Sequence, residues 1–320
     1  MNADSPVVAV VGLGYVGLPL ALHFSEASTR VVGLDIDPAK VSRLNAGESY
    51  ISHLPASRIR AALDKGLFSA TTDFDRLREA DAILICVPTP LTPQQEPDLS
   101  FVMATGAEVG ARLGRGQLVV LESTTYPGTT EGVLRDVLEL HSRLVAGQDF
   151  HLAYSPERED PGNPESRISS IPKVVGGLTP ACRDAATALY QRVVQRVVPV
   201  SSCRAAEATK LLENIFRSVN IALVNELKVV YDAMDIDVWE VIHAAATKPF
   251  GFMPFYPGPG LGGHCIPVDP FYLAWKAKEF GLRTRFVELA GDINTAMPEH
   301  VLHRVADALN DLGRPVKGSR

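Results

Sequence analysis

The chain has 320 residues, of which 46% are hydrophobic and 21% are charged. This length exceeds the roughly 250 to 300 residues at which single hydrophobic cores stop growing, so it predicts two structural units. The composition is that of an ordinary globular protein, which excludes disordered and fibrous classes, and the net charge of −6 offers no basic surface for a nucleic acid.

Neither targeting nor membrane segments are predicted. No run of about 18 apolar residues occurs, and the first six residues lack the basic flank and the apolar run of a signal peptide. We therefore expect a cytoplasmic protein without a membrane partner. The four cysteines are too scattered for a metal site or a disulfide framework, which predicts reduced thiols and no bound metal. They are Cys86, Cys182, Cys203 and Cys265.

The first part of the chain alternates apolar runs with helical segments. Residues 7–12, VVAVVG, form a continuous β-branched run, which is typical of a strand buried on both faces of a parallel sheet. Later apolar runs lie at residues 31–34, 82–87, 118–121, 151–154, 173–175 and 196–200. Helical spacing occurs between them at residues 98–113, 129–141 and 180–193. This alternation predicts an α/β fold, with a doubly wound parallel sheet of Rossmann type over residues 1–200.

The second domain is predicted to be small and all-α, over residues 201–312. A segment without Gly or Pro runs from Arg204 to about residue 234 and predicts a long connecting helix. A loop rich in Pro and Gly follows at residues 248–270, and helical segments follow at 271–280 and 284–312. Because a helix of this length with an apolar stripe is typical of a two-fold seam, we predict a homodimer, which a monomeric elution profile would contradict.

A dinucleotide site is predicted at the first turn. Gly12, Gly14 and Gly17 form GxGxxG directly after the first strand and open the first helix, where backbone amides hold a pyrophosphate. Asp35 ends the second strand at the usual distance for binding ribose hydroxyls, and an acid there favours NAD over NADP. Asp37 is more consistent with a cap on the next helix. The predicted cofactor contacts in this segment are Gly12, Gly14, Tyr15, Val16, Gly17 and Asp35.

Residues that follow the strands at 82–87 and 118–121 complete the predicted cofactor site. Ligands bind at the carboxyl ends of strands in open α/β sheets. Hydroxyl groups in these turns serve either as ligand contacts or as ordinary turn chemistry, and the sequence alone leaves both open. The predicted contacts are Val87, Pro88, Thr89, Ser123 and Thr124.

Three places are candidates for chemistry. Cys265 lies in the segment PGPGLGGHCIPVDP, before a predicted helix whose dipole favours a reactive thiolate, and an inert cysteine is the alternative. Lys210 and Asn214 share one face of the long helix, where a solvated polar stripe is the alternative. Glu157, in the segment SPEREDPGN, either activates water or pairs with its neighbours in a surface loop.

Four segments resemble the nucleotide-sugar 6-dehydrogenase family, of which UDP-glucose dehydrogenase is a member. They are GLGYVGLPLA, SPEREDPGN, KLLENIFRSVNIALVNEL and PGPGLGGHCIPVDPFYL, and the likeness extends through essentially the whole chain. The sequence of the cysteine segment is more similar to the branch that acts on UDP-N-acetylglucosamine or UDP-N-acetylmannosamine than to the UDP-glucose branch. The resemblance implies an NAD-dependent oxidoreductase of polysaccharide biosynthesis that takes a UDP-sugar.

The resemblance also implies the reaction. The family's nucleophile falls on Cys265. A first hydride leaves the primary alcohol of the sugar to give an aldehyde, which this thiol traps as a thiohemiacetal. A second hydride transfer gives a thioester, which water hydrolyses, so that one difficult oxidation is divided into easier steps.

Five more catalytic roles are carried over by the resemblance. Lys210 and Asn214 are implied to stabilise oxyanions, and Asp269 to tune the thiol and its proton traffic. Glu157 is implied to serve the hydrolysis, with its water held by Thr124.

Substrate contacts and one further domain are implied in the same way. His264 is implied to orient the cysteine segment. Packing is the alternative explanation for His264 and for the contacts implied at Arg158, Asn220, Phe255, Gly258 and Gly260. Because family members continue into an α/β domain that closes over uridine diphosphate, residues 313–320 are expected to begin a linker, and this chain to bind NAD but to turn over UDP-sugar poorly. The implied substrate contacts are Glu157, Arg158, Lys210, Asn214, Asn220, Phe255, Gly258 and Gly260.

Two other functions stay open. A 3-hydroxyacid or 6-phosphogluconate type dehydrogenase shares the dinucleotide fold and a helix-borne lysine and asparagine, but it transfers one hydride and needs no nucleophilic cysteine. A non-catalytic NAD-binding or dimerisation module is the second alternative. Loss of acid formation on replacing Cys265 with Ala would exclude the first, and iodoacetamide reactivity of Cys265 at neutral pH would speak against the second.

Overall fold

A computed structural model describes residues 6–158, 171–263 and 265–319 of the chain. The chain divides into two compact units, Met1–Lys210 and Leu211–Arg320. In the described residues, no helix is long and apolar enough to cross a membrane.

One eight-stranded sheet forms the described part of the first unit's core. Its strands follow the order β3-β2-β1-β4-β5-β6-β7-β8. They are β1 (Val7–Val11), β2 (Arg30–Leu34), β3 (Phe68–Thr71), β4 (Ala82–Ile85), β5 (Leu118–Leu121), β6 (His151–Tyr154), β7 (Lys173–Gly177) and β8 (Val197–Val200). The chain leaves β1 first to one side and then to the other, which is the doubly wound arrangement, and the predicted fold class is confirmed.

Two features of the sheet differ from the prediction. The edge strand β3 was not predicted, because its four residues alternate between buried and half-buried and carry only a short signal. The sheet is also not wholly parallel. β7 pairs antiparallel with β6, whereas β8 is parallel to β7. An apolar run predicts a buried strand but carries no information about its direction.

Helices cover the sheet in the first unit. They are α1 (Gly17–Glu26), α2 (Pro38–Asn45), α3 (Ala56–Asp64), α4 (Ser100–Gly110), α5 (Arg135–Ser142) and α6 (Pro180–Tyr190), with a π-helical turn at Thr130–Leu134 before α5. As predicted, Asp37 caps α2, since its Oδ1 accepts a hydrogen bond from the amide of Ala39 at 2.9 Å. Thr179 caps α6 in the same way.

The second unit consists of helices in its described residues. The helix α7 (Cys203–Ala233) enters it from the first unit, and α8 (Val238–Ala246), α9 (Cys265–Lys278) and α10 (Arg285–Asp311) follow. The predicted start of α9 at residue 271 is wrong, because the helix begins at Cys265. Its prolines suggested a loop, yet Pro267 lies in the first turn, where proline is tolerated, and Pro270 lies inside the helix.

Several large apolar side chains on α7 are exposed, among them Leu212, Phe216 and Leu223. Polar side chains of the same helix are buried. The homodimer expected through this helix stays a prediction.

A buried carboxylate joins α7 to the π-helical turn. Glu207 is fully buried, and its Oε2 accepts a hydrogen bond from the amide of Gly128 at 2.6 Å. Its Oε1 accepts from the amide and the hydroxyl of Thr130 at 2.9 and 2.7 Å. Three donors are thus satisfied by one side chain, including an amide at the start of a helix.

The replacement Glu207→Gln is expected to lower the free energy of unfolding by about 1 to 3 kcal/mol, because an amide group cannot accept from all three donors. Urea denaturation checks this value. The exposed Glu226→Gln on the same helix should change stability by less than about 0.5 kcal/mol. Equal effects of the two replacements would contradict a special role for Glu207.

Candidate active site

The turn after β1 is closed by backbone contacts that leave no room for side chains. A Cβ added at Gly17 would lie 1.9 Å from the carbonyl oxygen of Gly12. Gly12 itself has φ of +93°, and an added Cβ would lie 2.6 Å from the carbonyl oxygen of Cys86. A Cβ at Gly14, in contrast, would meet nothing within 4 Å. Two glycines are therefore required by packing, and the third borders open space at the amino end of α1, where a phosphate is stabilised.

Asp35 lies beside this turn at the end of β2 and is 6% exposed. Its Oδ2 accepts a hydrogen bond from the amide of Leu13 at 3.0 Å, and its Oδ1 accepts from the amide of Asp37 at 3.0 Å. The ammonium of Lys40 lies 3.3 Å from Oδ2. A carboxylate has about four acceptor positions, so acceptor capacity remains for ribose hydroxyls. The glycine turn and Asp35 together fit a dinucleotide.

The loops after β4 and β5 are joined by the hydroxyl groups predicted there. Thr89 Oγ1 donates to the carbonyl oxygen of Thr124 at 2.7 Å. Ser123 Oγ donates to the carbonyl oxygen of Val87 at 2.7 Å. The structure thus brings these four predicted residues together, and two of the hydroxyls serve to connect the loops.

Lys210 and Glu157 are 53 positions apart in sequence but meet in the first unit. Lys210 is 8% exposed, and its Nζ donates to the carbonyl oxygen of Glu157 at 2.6 Å. Glu157 Oε1 accepts from the amide of Arg158 at 2.7 Å, while the Arg158 guanidinium donates to the carbonyl oxygen of Pro172. The backbone carbonyl of Glu157 therefore lies next to a buried cation at the carboxyl end of β6.

A second pair of predicted residues meets within the second unit. The Nδ2 of Asn214 donates to Oδ2 of Asp269, and the two side chains are 4% exposed each. Asp269 lies one turn after Cys265 along α9. His264 lies outside the described residues. The alternative interpretation of Lys210 and Asn214 as part of a solvated polar stripe is wrong, since both side chains are buried.

The segment before Cys265 is held by a buried amide network that the sequence did not indicate. Asn225 Oδ1 accepts from the amide of Gly258 at 3.0 Å, and its Nδ2 donates to Oδ1 of Asn294 at 2.9 Å. Asn294 in turn donates to the carbonyl oxygen of Ser218 at 3.1 Å. Gly258 is thereby fixed to α7 and α10 through side chains that a sequence scan finds only as isolated asparagines.

The remaining predicted substrate contacts of the second unit each make a contact within that unit. The ring of Phe255 lies edge-on to that of Phe216, with 5.7 Å between the centroids. Asn220 donates to the carbonyl oxygen of Phe216 at 2.7 Å. A Cβ added at Gly260 would lie 3.2 Å from the ring of Pro298. These contacts neither require nor exclude a ligand.

A chain of buried charges lies beneath the carboxyl ends of β5 and β6. Lys173 Nζ lies 2.6 Å from Oε2 of Glu122 and 3.8 Å from Oε2 of Glu157. The hydroxyl of Tyr190 donates to the other oxygen of Glu122. Lys173, Glu122 and Tyr190 are buried, and none of the three was among the predicted site residues. Lys173 was not predicted as a site residue because it begins an otherwise apolar strand.

Burial dominates the titration of this cluster. It raises the pKa of Glu122 above its ordinary value, although the Lys173 ammonium acts in the opposite direction. Burial lowers the pKa of Lys173, but the carboxylates of Glu122 and Glu157 outweigh it, so the net pKa is raised and the ammonium persists. Burial also raises the pKa of Tyr190, which keeps this hydroxyl a donor. Among the described residues, no three His, Cys, Asp or Glu side chains are grouped as metal ligands.

Comparison with known proteins accounts for most of the chain. Residues 7–194 match the NAD binding domain of the UDP-glucose/GDP-mannose dehydrogenase family, and residues 204–296 match its central domain. The UDP-N-acetyl-D-glucosamine 6-dehydrogenase of Pseudomonas aeruginosa is 39% identical over 98% of this chain and 73% of its own length. An NDP-N-acetyl-D-galactosaminuronic acid dehydrogenase of Ralstonia nicotianae is 38% identical over 99% of this chain and 75% of its own. Among solved structures, the UDP-D-ManNAc dehydrogenase of Pyrococcus horikoshii superposes with a TM-score of 0.90, at 34% identity, over 96% of this chain and 72% of that one.

Neutralising Lys173 alone should be far more destabilising than neutralising it together with Glu122. Lys173→Met leaves a buried carboxylate without its cation, which costs about 3 to 5 kcal/mol, whereas Glu122→Gln with Lys173→Met removes both charges and should recover much of that loss. Urea denaturation of the four proteins of this double-mutant cycle measures the coupling.

The sign of the pH dependence follows from the raised pKa of Glu122. A carboxyl with a raised folded-state pKa contributes most below its ordinary pKa of 4.5, and stability falls as pH rises through the higher folded value. The deficit of Lys173→Met should therefore shrink as pH is lowered. The half-exposed pair of Arg58 and Glu26 should couple by less than about 1 kcal/mol. Additive effects at Glu122 and Lys173 would contradict the prediction.

Proposed function

Because the chain belongs to the UDP-glucose/GDP-mannose dehydrogenase family, we propose that it oxidises the C6 alcohol of a UDP-N-acetylhexosamine to a carboxylate, with NAD as oxidant. The observation that carries this proposal is the buried hydrogen bond from Asn214 to Asp269, on the helix that begins at Cys265. The buried carboxylate of Asp269 lies one helical turn along α9 from Cys265, and a nucleophilic cysteine needs a group of this kind to handle its proton.

The glycine turn and Asp35 are the groups that would hold the cofactor. The open space at Gly14 and the amides at the start of α1 suit a pyrophosphate, and the buried carboxylate of Asp35 suits ribose hydroxyls. NAD, when bound, accepts one hydride in each of the two oxidations. Thr89 and Ser123 support the site by fixing the loops after β4 and β5.

Cys265 acts as the nucleophile in this proposal. Its sulfur adds to the aldehyde carbon that the first oxidation produces, and the resulting thiohemiacetal loses a second hydride and a proton to become a thioester. Water then attacks the thioester, the C–S bond breaks, and the sulfur regains its proton. Burial raises the pKa of the Cys86 and Cys203 thiols, which makes those two cysteines poor nucleophiles and supports Cys265.

The other residues serve the oxyanions and the water. Lys210 and Asn214 supply an ammonium and an amide donor, both buried, where charge develops on oxygen. Asp269 accepts from Asn214 and, in this proposal, tunes the thiol of Cys265 one helical turn away along α9. Glu157 takes the proton of the attacking water, which Thr124 orients. The carboxylate of Glu157 and the carbonyl of Thr124 both lie in loops at the carboxyl edge of the sheet.

We further propose that the sugar of the substrate is an N-acetylhexosamine. The relatives above are named for N-acetylglucosamine, N-acetylgalactosaminuronic acid and N-acetylmannosamine sugars. All three share the 2-acetamido group, so the proposed substrate class is the UDP-N-acetylhexosamines. A panel of the three epimers with UDP-glucose as reference identifies the preferred sugar.

The stoichiometry of the reaction tests the proposed function. The chain, incubated with NAD and the UDP-sugar panel, should form two NADH for each uronic acid however slow its turnover, and Cys265→Ala should abolish acid formation because the covalent step is lost. NADH absorbance and mass spectrometry of the sugar product measure both quantities. One NADH for each sugar, with an unchanged Cys265→Ala variant, would instead favour the single-hydride dehydrogenase. Cys182→Ala, in a buried cysteine of α6, is the control and should retain the two-to-one ratio.

Coenzyme choice is expected to depend on Asp35. Asp35→Ser removes acceptors for ribose hydroxyls and the charge that repels a 2′-phosphate, while Lys40 remains. NADH binding should weaken by roughly 10- to 100-fold, and the preference for NADH over NADPH should fall by a similar factor. Fluorescence titration with both nucleotides measures this ratio. Asp37→Ser retains the cap of α2 and should leave the ratio unchanged, and an unchanged ratio in Asp35→Ser as well would refute the role of Asp35.

A further inference from the structure

The reversed direction of β7 brings a lysine to the functional edge of the sheet. Ala153 pairs with Gly177 and Tyr154 with Gly176 in the antiparallel register of β6 and β7. Continued for three more residues, this register places Glu157 opposite Lys173. In a β7 parallel to β6, Lys173 would begin the strand at the opposite edge, away from the carboxyl ends.

The contacts at that edge agree with the register. Lys173 Nζ lies 3.8 Å from Oε2 of Glu157, and its second carboxylate partner, Glu122, lies at 2.6 Å. Tyr190 fixes the far oxygen of Glu122. Stability alone does not explain such a group, because well-packed apolar residues in place of a buried ion pair are often neutral or stabilising.

From this arrangement we propose that Lys173 is a positioning residue for Glu157, and that Glu122 is the counter-ion that holds Lys173 in place. The inference rests on the proposed function, in which Glu157 takes a proton from water during thioester hydrolysis. The ammonium, 3.8 Å from Oε2, orients the carboxylate that accepts the proton of water. Lys173 does not touch the substrate; it acts through Glu157.

Other groups around Glu157 act on the same carboxylate. Its Oε1 accepts from the amide of Arg158, and the Lys210 ammonium is bound to its carbonyl oxygen. Among the residues that the structure describes, the charged and titratable side chains that interact electrostatically with Glu157 include His23 on α1, Cys86 after β4, Glu122 after β5 and Lys173 on β7. Lys173 is a buried cation whose Nζ lies 3.8 Å from Oε2 of Glu157. The raised pKa of Lys173 keeps that cation charged over the working range of pH.

Opposite shifts in two variants test the electrostatic part. Lys173→Met should raise the pKa of the Glu157 carboxyl, giving a tenfold or greater gain in proton affinity, because a cation is lost. Glu122→Gln should change it in the opposite direction, because a like charge is lost. The ¹³C carboxyl signals of labelled glutamate, assigned with Glu157→Gln, report this pKa without any turnover.

Two controls keep the result interpretable. The double variant Glu122→Gln with Lys173→Met holds no uncompensated buried carboxylate, so it reports on Glu157 should Lys173→Met alone fail to fold. In the double variant, the pKa of Glu157 should change in the same direction as in Lys173→Met. The reason is that Lys173 contacts Glu157, whereas Glu122 contacts Lys173. Lys65→Met, in an exposed lysine of the same unit, should leave the Glu157 signal unchanged. Identical titration of Glu157 in wild type, Lys173→Met and the double variant would overturn the proposal.

The kinetic arm separates this inference from the function on which it rests. In Lys173→Met the first NADH should appear at a rate within about twofold of wild type, while acid release slows by roughly 10- to 100-fold and a thioester on Cys265 accumulates, visible as a mass adduct. Equal slowing of both steps would indicate general damage and would refute a positioning role. If wild type itself forms one NADH and no adduct, the proposed function fails, whereas the carboxyl titration still decides the link between Lys173 and Glu157.

Discussion

Four neighbouring strands, β1, β4, β5 and β6, run in one direction, and the candidate groups of the first unit leave from their carboxyl ends. Parallel strands need a crossover between each pair, so each end opens into a separate loop that carries its own chemistry. The glycine turn follows β1, Thr89 follows β4, Ser123 and Thr124 follow β5, and Glu157 follows β6. The direction of these strands thus gathers residues from four distant parts of the chain at one edge. Asp35 joins them from β2, which is parallel to β1.

Both units place polar groups out of water and give each a partner. In the first unit, an ammonium lies among carboxylates under the sheet edge; in the second, an amide donates to a carboxylate between α7 and α9. Groups held in this way lose little freedom when a ligand arrives, and the surrounding low dielectric strengthens their effect on charge. The same requirement reverses the usual pattern of α7. Lys210 and Asn214 face inward, and apolar residues such as Leu212 and Phe216 face outward.

Features set by neighbouring residues could be predicted from the sequence. The glycine turn, Asp35 at the end of β2 and the cap of α2 depend on a few consecutive positions, and the structure has them where the pattern indicates. The direction of β7 could not be predicted, because it depends on pairing with β6 rather than on its own residues. For the same reason, Lys173 was predicted only as the first residue of an apolar strand and not as a site residue.

The candidate site shows the same division between local and distant information. Lys210 and Asn214 were predicted from their shared helix face, which also fitted a solvated polar stripe, and Asp269 was named only through family resemblance. Burial separates the two interpretations, and burial is a property of the folded chain. The start of α9 was predicted too late because proline is a strong local signal against a helix. Proline is nevertheless tolerated in the first turn, where the N–H that it lacks would have no helical partner. The Asn225 and Asn294 network joins residues 69 positions apart and has no local signature.

The ladder between β6 and β7 also determines which side chains meet at this edge of the sheet. Glu157 and Lys173 are brought opposite one another by hydrogen bonds made before and after them, at Tyr154 and at Gly176. Their alignment is therefore independent of the number and kind of residues in between. A change in the length of that interval should therefore leave the two side chains opposite one another, provided that the pairing of Tyr154 with Gly176 is kept.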